Sequence, residues 1–434
     1  MEHVVVVGAG VTGLFLAVGL GRRGYRVTVV DRDSGPSATG WKRRGVMQFH
    51  HPHGIRQQAI DALDAEMPDV HEALLAVGAV DVVTGGLLCR RSTFERALRS
   101  AAAAEPGVTL LTGNVGDDVP RGGGRATGVL VDGQPLAADL VLDAGGRNSR
   151  IGAELRPDTE DQDCGLAYVS RQHVLLPGAT PGPMSSGLGY LQQHRGYLVA
   201  AFLQDAATFS TLIARDSSDD DLAGLRHAPG YEAACAAIPA LAAWTDPERS
   251  RPTSAPMVGA NLHNTYRGQG TLPGLIHVGD AVCVTNPTVG RGIATSLMQA
   301  RSLLTALSEH DDLRDACASF DAYCESAIRP WFDDHISTDP DRLARYRGAD
   351  VDLDRPLTSV WIAEAMPAVA ADLRPVIGRF LAMRTLPAEL ATIEPAAKAI
   401  YRGGWRPDRP AGPGHTDLAE LIKAAEDTRP RRDG

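Results

Sequence analysis

Four consecutive valines, Val4 to Val7, follow His3 near the start of the chain. Valine is stiff at χ1, and an apolar run without alternation predicts a strand buried on both faces of a parallel sheet. A glycine-bearing turn comes next. Leu14 to Arg23 then carries apolar residues at helical spacing, with Gly24 as its C-terminal cap. Arg26 to Val30 predicts a second strand, ending at Asp31, so the chain opens as β-α-β. Helical spacing returns at Arg56 to Glu66, Asp69 to Val77 and Arg91 to Ala104. In the last of these, Ser92 with Glu95 three residues on predicts a capping box. Val108 to Leu111 reads as a strand, Gly113 to Gly133 as a β-meander around Arg121-Gly122-Gly123-Gly124-Arg125, and Leu140 to Leu142 as a return to the parallel sheet.

Beyond about Asp161 the texture changes. Gly165 to Val174, Tyr197 to Gln204 and Phe209 to Ala214 look like strands, separated by Gly, Pro and Asp clusters, with helical pieces at Ser218 to Leu225 and Tyr231 to Ile238. Leu275 to Val278 predicts re-entry into the first sheet, and Gly292 to His310 a helix; from Asp311 to Glu426 the pattern is mostly helical with Pro interruptions. The expected class is α/β: a Rossmann-type domain interleaved with a mixed β-sheet layer, then a helical C-terminal region. The expected division is 1–160 with 265–310, then 161–264, then 311–434.

Gly8-Ala9-Gly10-Val11-Thr12-Gly13 lies between the first strand and helix, where a dinucleotide-binding turn must lie. Gly8 permits the turn, Gly10 lets backbone approach a pyrophosphate, and Gly13 lets helix pack on strand. The helix start, with Val11 and Thr12, offers free N–H groups and a positive dipole end. Asp31, eighteen residues past Gly13, ends the second strand, where a carboxylate accepts bonds from ribose hydroxyls. Two more strand ends matter: Asp143-Ala144-Gly145-Gly146 and Gly279-Asp280. Taken alone, the first could be merely a strand end needing glycine, while the aspartate of the second could bind a sugar hydroxyl or simply cap the next turn.

Composition narrows the possibilities further. A formal charge of −10 without a strong basic stripe argues against nucleic acid as partner. The six cysteines are scattered with no C-x-x-C pair, which points to free thiols, a reducing cytoplasm and no metal site. His50, His51 and His53 lack matching Cys or acidic partners and read as loop histidines. Val4 to Leu20 is apolar, but glycines interrupt it and no cationic region precedes it. No signal peptide or membrane span is therefore expected.

With the three segments in this order, the chain resembles the FAD-dependent monooxygenases of the aromatic hydroxylase (p-hydroxybenzoate hydroxylase-like) superfamily over about its first 310 residues. The segments look like that family's GxGxxG, DG and GD fingerprints. There are two departures: an alanine between Asp143 and Gly145, and Ala281-Val282-Cys283 where Ala-His often follows Gly-Asp. The resemblance implies a GR2-like FAD domain, with Asp280 on the ribityl chain and Arg91 near the FAD phosphate or ribityl region. Arg32, Arg43, Arg44 and Gln48 would line the cofactor, and Gly279, Pro287, Gly290, Gly292 and Ile293 would lead into a helix whose N-terminus faces the flavin pyrimidine. The implied reaction is hydroxylation or epoxidation of a small apolar or aromatic substrate by O₂ through a flavin C4a-hydroperoxide. NADPH or NADH would serve as reductant, directly or through a separate flavin reductase, because the chain holds one dinucleotide fingerprint. The substrate wall is expected between about Gly187 and Phe202 and around Met257. The Trp-x-Trp-x-Ile-Pro signature of tryptophan-type halogenases is absent. An FAD-dependent reductase of C=C bonds, similar to geranylgeranyl reductase, and a non-catalytic nucleotide-binding flavoprotein are the alternative readings.

Overall fold

The computed structural model describes residues 2–37, 40–41, 43, 45–82 and 85–427. The valine run forms β1 (His3–Val7), every residue buried, followed by α1 (Val11–Arg22) and β2 (Arg26–Asp31). α1 closes with Gly24 at φ +85°, its N–H on the Gly21 carbonyl and that of Tyr25 on Leu20. This left-handed cap satisfies carbonyls that the helix end leaves orphaned. Two further helices matter for the site: α2 (Gln57–Glu66) and α3 (Arg91–Ala104). With β3 (Val108–Thr112) and β4 (Leu140–Asp143) the chain returns to the sheet.

A second layer is built on β5 (Leu166–Leu175), β6 (Gly189–Gln193), β7 (Leu198–Leu203), β8 (Thr208–Asp216) and β9 (Ser250–Pro252). They pair in the order β6-β7-β8-β5-β9, antiparallel throughout, and Met257–Gly259 adds to β5. The chain then re-enters the first sheet as β10 (Leu275–His277), giving a five-stranded parallel order β10-β4-β1-β2-β3. α4 (Gly292–Glu309) covers it beside α1. Gly19 makes that packing close, because a Cβ there would stand 2.5 Å from Leu304 Cδ1. Among the described residues, no helix is long and apolar enough to cross a membrane.

Phe15, Leu16, Phe94, Leu297 and Leu304 fill the core between parallel sheet and helices. Tyr197, Phe209 and Trp244 fill a second core behind the antiparallel layer, closed by Leu418 and Ile422 of the last helix. The remaining helices pack around Trp331, Trp361, Phe380 and Tyr401. One of them, α5 (Arg329–Tyr346), is unusual in burying polar side chains: Asp334, His335, Thr338, Asp339 and Asp341. Each carboxylate reaches a partner. Asp334 accepts from Arg291 at 2.6 Å, Asp339 from Asn264 at 2.8 Å, and Asp341 from Thr358 at 2.6 Å. Arg291 precedes α4, so this helix ties the C-terminal region to the start of α4.

One expectation is corrected here. α3 begins at Arg91 with Arg90 as its N-cap and no side-chain cap bond, so Ser92 and Glu95 form no capping box. Glu95 is fully buried and is bonded by Arg43 at 2.6 Å and Arg91 at 2.7 Å. Two guanidinium donors outcompete a single backbone N–H for a desolvated carboxylate.

The Arg291–Asp334 pair yields a stability prediction. Asp334→Ala strands a buried guanidinium and is expected to lower the unfolding free energy by about 3–5 kcal/mol in denaturant titration. A loss under about 1 kcal/mol, the range of exposed pairs, would contradict this account of the C-terminal region.

Candidate flavin site

The parallel order places β10, β4 and β1 side by side, so their C-terminal ends emerge together. Val278 N–H donates to Asp143 O and Ala144 N–H to Val7 O, each at 2.9 Å. Glycine sets the approach. A Cβ on Gly8 (φ +98°) would stand 2.4 Å from Ala144 O, and one on Gly13 only 1.8 Å from Gly8 O. Gly279 (φ +70°) sits against α1, where a Cβ would meet Thr12 Oγ1 at 2.7 Å. The three fingerprint segments thus become one surface.

That surface opens on a cavity of about 720 Å³. Gly8, Gly10, Val11, Thr12, Asp31, Arg32, Arg43, Gln48, Arg91, Asp280, Pro287, Gly290, Gly292 and Ile293 all line it, as do Ala144, Gly145 and Gly146. Arg44 lies outside the described residues. Gly13 and Gly279 stand behind the wall and set the backbone. Two glycines have room to spare on the cavity side. A Cβ on Gly10 would meet nothing nearer than Arg43 Nη1 at 3.8 Å, and one on Gly292 nothing within 4 Å. A larger cavity, about 840 Å³, lies beyond the antiparallel layer, but Arg347–Asp216, Arg406–Asp350 and Arg409–Glu364 pair the charges on its wall.

Around the glycine turn the charges form one cluster. Asp31 Oδ2 accepts from Ala9 N–H at 2.5 Å and Arg43 Nη2 at 2.6 Å; Arg43 also donates to Ala9 O at 2.8 Å. Asp143 faces away from the cavity. It is fully buried and accepts from His277 Nδ1 at 2.7 Å, Ser149 Oγ at 2.8 Å and Gly145 N–H at 3.0 Å. It therefore fixes the turn at the strand end and leaves the lining to Ala144, Gly145 and Gly146. Asp280 behaves differently: its carboxyl is raised by burial, with Ser296 Oγ donating at 3.3 Å. A desolvated carboxyl on a cavity wall favours a hydrogen-bonding ligand.

At its far end the cavity reaches the antiparallel layer through Leu188, Leu191, Leu198, Ala200, Phe202 and Leu212. All but Leu212 lie in the stretch between Gly187 and Phe202 expected to form the substrate wall. Met257 is not part of it, because its strand pairs with Ser170 on the side of β5 away from β8. Two loop histidines also line the cavity. His51 is bonded to Ser170 Oγ at 2.7 Å and packs edge-on against Tyr168, while His53 Nδ1 is bonded to its own loop at His51 O, 2.9 Å. Nδ1–H of His53 is thereby committed, which leaves Nε2 as an acceptor. Arg56 is the largest omission of the sequence reading. It is a half-buried cation on the cavity wall, donating to Val289 O and Gly290 O at 2.7 and 2.8 Å. Nothing in its helical spacing marks it, because its partners are backbone carbonyls far along the chain.

An FAD-dependent oxidoreductase family matches residues 3–101, which hold the glycine turn, Asp31 and Arg91. Residues 3–101 thus carry the signature of FAD-dependent oxidoreductases, on a chain with the fold of flavin-dependent enzymes. A 2-heptyl-3-hydroxy-4(1H)-quinolone synthase of Mycobacteroides abscessus is 27% identical over 348 residues, covering 76% of this chain and 86% of that protein. Among solved structures, the flavin-dependent brominase Bmp2 superposes with a TM-score of 0.66 at 15% identity, covering 93% of this chain and 98% of that one. The 2-methyl-3-hydroxypyridine-5-carboxylic acid oxygenase superposes at 0.56 with 16% identity, covering 89% and 98%. The two solved structures cover about nine tenths of this chain, the quinolone synthase about three quarters.

Burial gives this site a pH signature. It holds His51 and His53 neutral, lowering them from 6.5 to about 4 and about 3. For a depressed histidine the unfolded chain takes up the proton first, so stability is complete above 6.5 and is lost as pH falls toward 4. The thermal midpoint is expected to drop between about pH 6.5 and 4.5 and to be flat from about pH 7 to 8. An unchanged midpoint down to about pH 4.5 would contradict neutral burial of these rings.

Proposed function

We propose that this chain is an FAD-dependent monooxygenase that inserts one oxygen atom from O₂ into a small apolar or aromatic substrate. The observation that carries the proposal is one cavity with two walls: three glycine-bearing strand ends on one side and an apolar antiparallel sheet on the other. The residues present fit FAD. Gly10 and Gly292 leave open space that no packing partner uses, and the buried hydroxyl of Thr285, on the same wall, has no partner among the described residues.

In this reading the free N–H groups at the α1 start and the Gly10 backbone hold the pyrophosphate. Asp31 keeps lone pairs for the adenosine ribose, with Arg43 neutralising the surrounding carboxylates. Asp280 accepts from the ribityl hydroxyls, and Arg91, fixed by Glu95, stands opposite it. Pro287, Gly290, Gly292 and Ile293 would hold the ring system, to which the α4 N-terminus would offer a positive dipole end. Arg32 and Gln48 close the cofactor side. When bound, FAD supplies the reducing equivalents that activate O₂ for transfer of one oxygen atom to the substrate. Leu188, Leu198 and Phe202 exclude water and orient an apolar substrate, while His53 Nε2 offers it one acceptor. NADH or NADPH supplies the electrons, in the same cavity or through a partner reductase. The free thiols of the buried cysteines fit a cytoplasmic enzyme.

Product mass under ¹⁸O₂ tests this directly, with reduced nicotinamide and a panel of aromatic and alkene compounds in bromide buffer. Incorporation of one ¹⁸O atom per product is expected. Hydride transfer without oxygen, or bromination without ¹⁸O, would overturn the monooxygenase reading.

A further inference from the structure

Arg56 differs from Arg43, Arg91 and Arg291, the guanidinium groups that flank the glycine turn and the start of α4. Arg43 is paired with Asp31, Asp33 and Glu95, Arg91 with Glu95, and Arg291 with Asp334. Among the described residues, Arg56 has no carboxylate partner. Its three bonds run to backbone carbonyls: Nε to Gly290 at 2.8 Å, Nη2 to Val289 at 2.7 Å and Nη1 to Leu381 at 2.6 Å. The strongest charge acting on it is repulsive, from Arg291, and burial lowers the guanidinium to about 10, which still leaves it charged at neutral pH.

Its position explains what such a charge can do. Val289 and Gly290 form the turn that leads into α4, and Gly290 adopts φ +67°. Gly54, two residues before Arg56, lies 4.0 Å from the Cβ position of Gly290 on one side and has Leu188 3.8 Å from its own Cβ position on the other. Arg56 therefore stands at the seam between the turn before α4 and the apolar layer. One residue pair also bolts this seam to the C-terminal region. Arg56 holds Leu381 O, and Gln58 Nε2 holds Ala382 O and Met383 O at 2.8 and 2.9 Å. The C-terminal helices thus buttress the turn without lining the glycine cradle.

We propose that Arg56 is a positioning residue that holds the Val289–Gly290 turn and supplies a half-buried positive charge without a carboxylate counter-ion there, so that the protein binds reduced, anionic FAD more tightly than oxidised FAD. This rests on the FAD reading above. The physical warrant is that a fixed charge without a counter-ion acts more strongly on a nearby developing charge than an ion pair does, because no opposite charge cancels its field. Arg291, paired and stacked 4.6 Å above the Trp331 ring, cannot play that part.

The experiment uses the full chain loaded with FAD. Reductive titration against dyes of known potential reads the ratio of affinities for reduced and oxidised FAD. Arg56→Met is expected to lower that ratio about tenfold, a fall of about 30 mV in the two-electron potential. Arg56→Lys keeps the charge and is expected to stay within about threefold of the parent ratio. Gln58→Ala cuts only the tie to the C-terminal turn and is expected to leave the ratio unchanged. An Arg56→Met ratio within about twofold of the parent, or an Arg56→Lys loss as large as that of Arg56→Met, would overturn the proposal. Should Arg56→Met not fold, the unmodified protein still decides. Its reduced flavin is expected to stay anionic at lower pH than free reduced FAD, and titration at the same pH as the free form would overturn the proposal. Failure of the unmodified chain to bind FAD would instead sink the cofactor reading itself.

Discussion

Close backbone approach at three strand ends is the constraint on which everything else depends. The β1, β4 and β10 ends can share one surface only because Gly8, Gly13 and Gly279 carry no Cβ where Ala144 O, Gly8 O and Thr12 Oγ1 stand. Once those ends meet, the parallel order dictates that the cavity opens at the carboxyl edge of the sheet, the usual ligand position in open α/β folds. The antiparallel layer then has to lie over that edge, which supplies the apolar half of the cavity. Helix start, carboxylates and apolar wall follow from that placement.

Around this frame the molecule buries an unusual amount of charge, and it does so by pairing. Arg43 gathers three carboxylates and the Ala9 carbonyl, and Arg291 takes Asp334. Buried pairs of this kind add little net stability over apolar packing, but losing one partner is costly. They therefore fix geometry. The Asp143–His277 pair, with both side chains fully buried, does the same for the β4 and β10 ends. Arg56, half-buried on the cavity wall, has only backbone carbonyls as partners among the described residues, and a charge of that kind on a cavity wall is where function is to be sought.

What could be read from the sequence was what local chemistry dictates. The valine run, the glycine turn and the acid at the end of β2 each carry their own reason, and the structure places them as expected. The order of the three fingerprint segments carried the cofactor. Long-range pairing was illegible. Glu95 has the spacing of a capping residue, yet Arg43, fifty-two positions away, and Arg91 claim its carboxylate. Met257 fell out of the substrate wall because strand spacing fixes alternation but not which neighbour a short strand joins. Asp143 read as part of a strand end, and nothing in the sequence showed that His277 and Ser149 claim its carboxylate. Arg56 and the buttressing C-terminal turn left no sequence trace, since backbone carbonyls carry no residue signature.

The central claim, that these strand ends build one FAD site, has its most direct test at Gly10. Its φ of −83° suits any residue, and a Cβ there meets no protein atom closer than 3.8 Å, so Gly10→Val is compatible with folding. The added side chain fills the space reserved for the pyrophosphate. Calorimetric titration with FAD is the measurement. The account predicts one FAD per unmodified chain, affinity reduced at least about a hundredfold in Gly10→Val, and an unchanged thermal midpoint for the cofactor-free protein. A Gly10→Val protein that binds FAD within about threefold of the parent would contradict it.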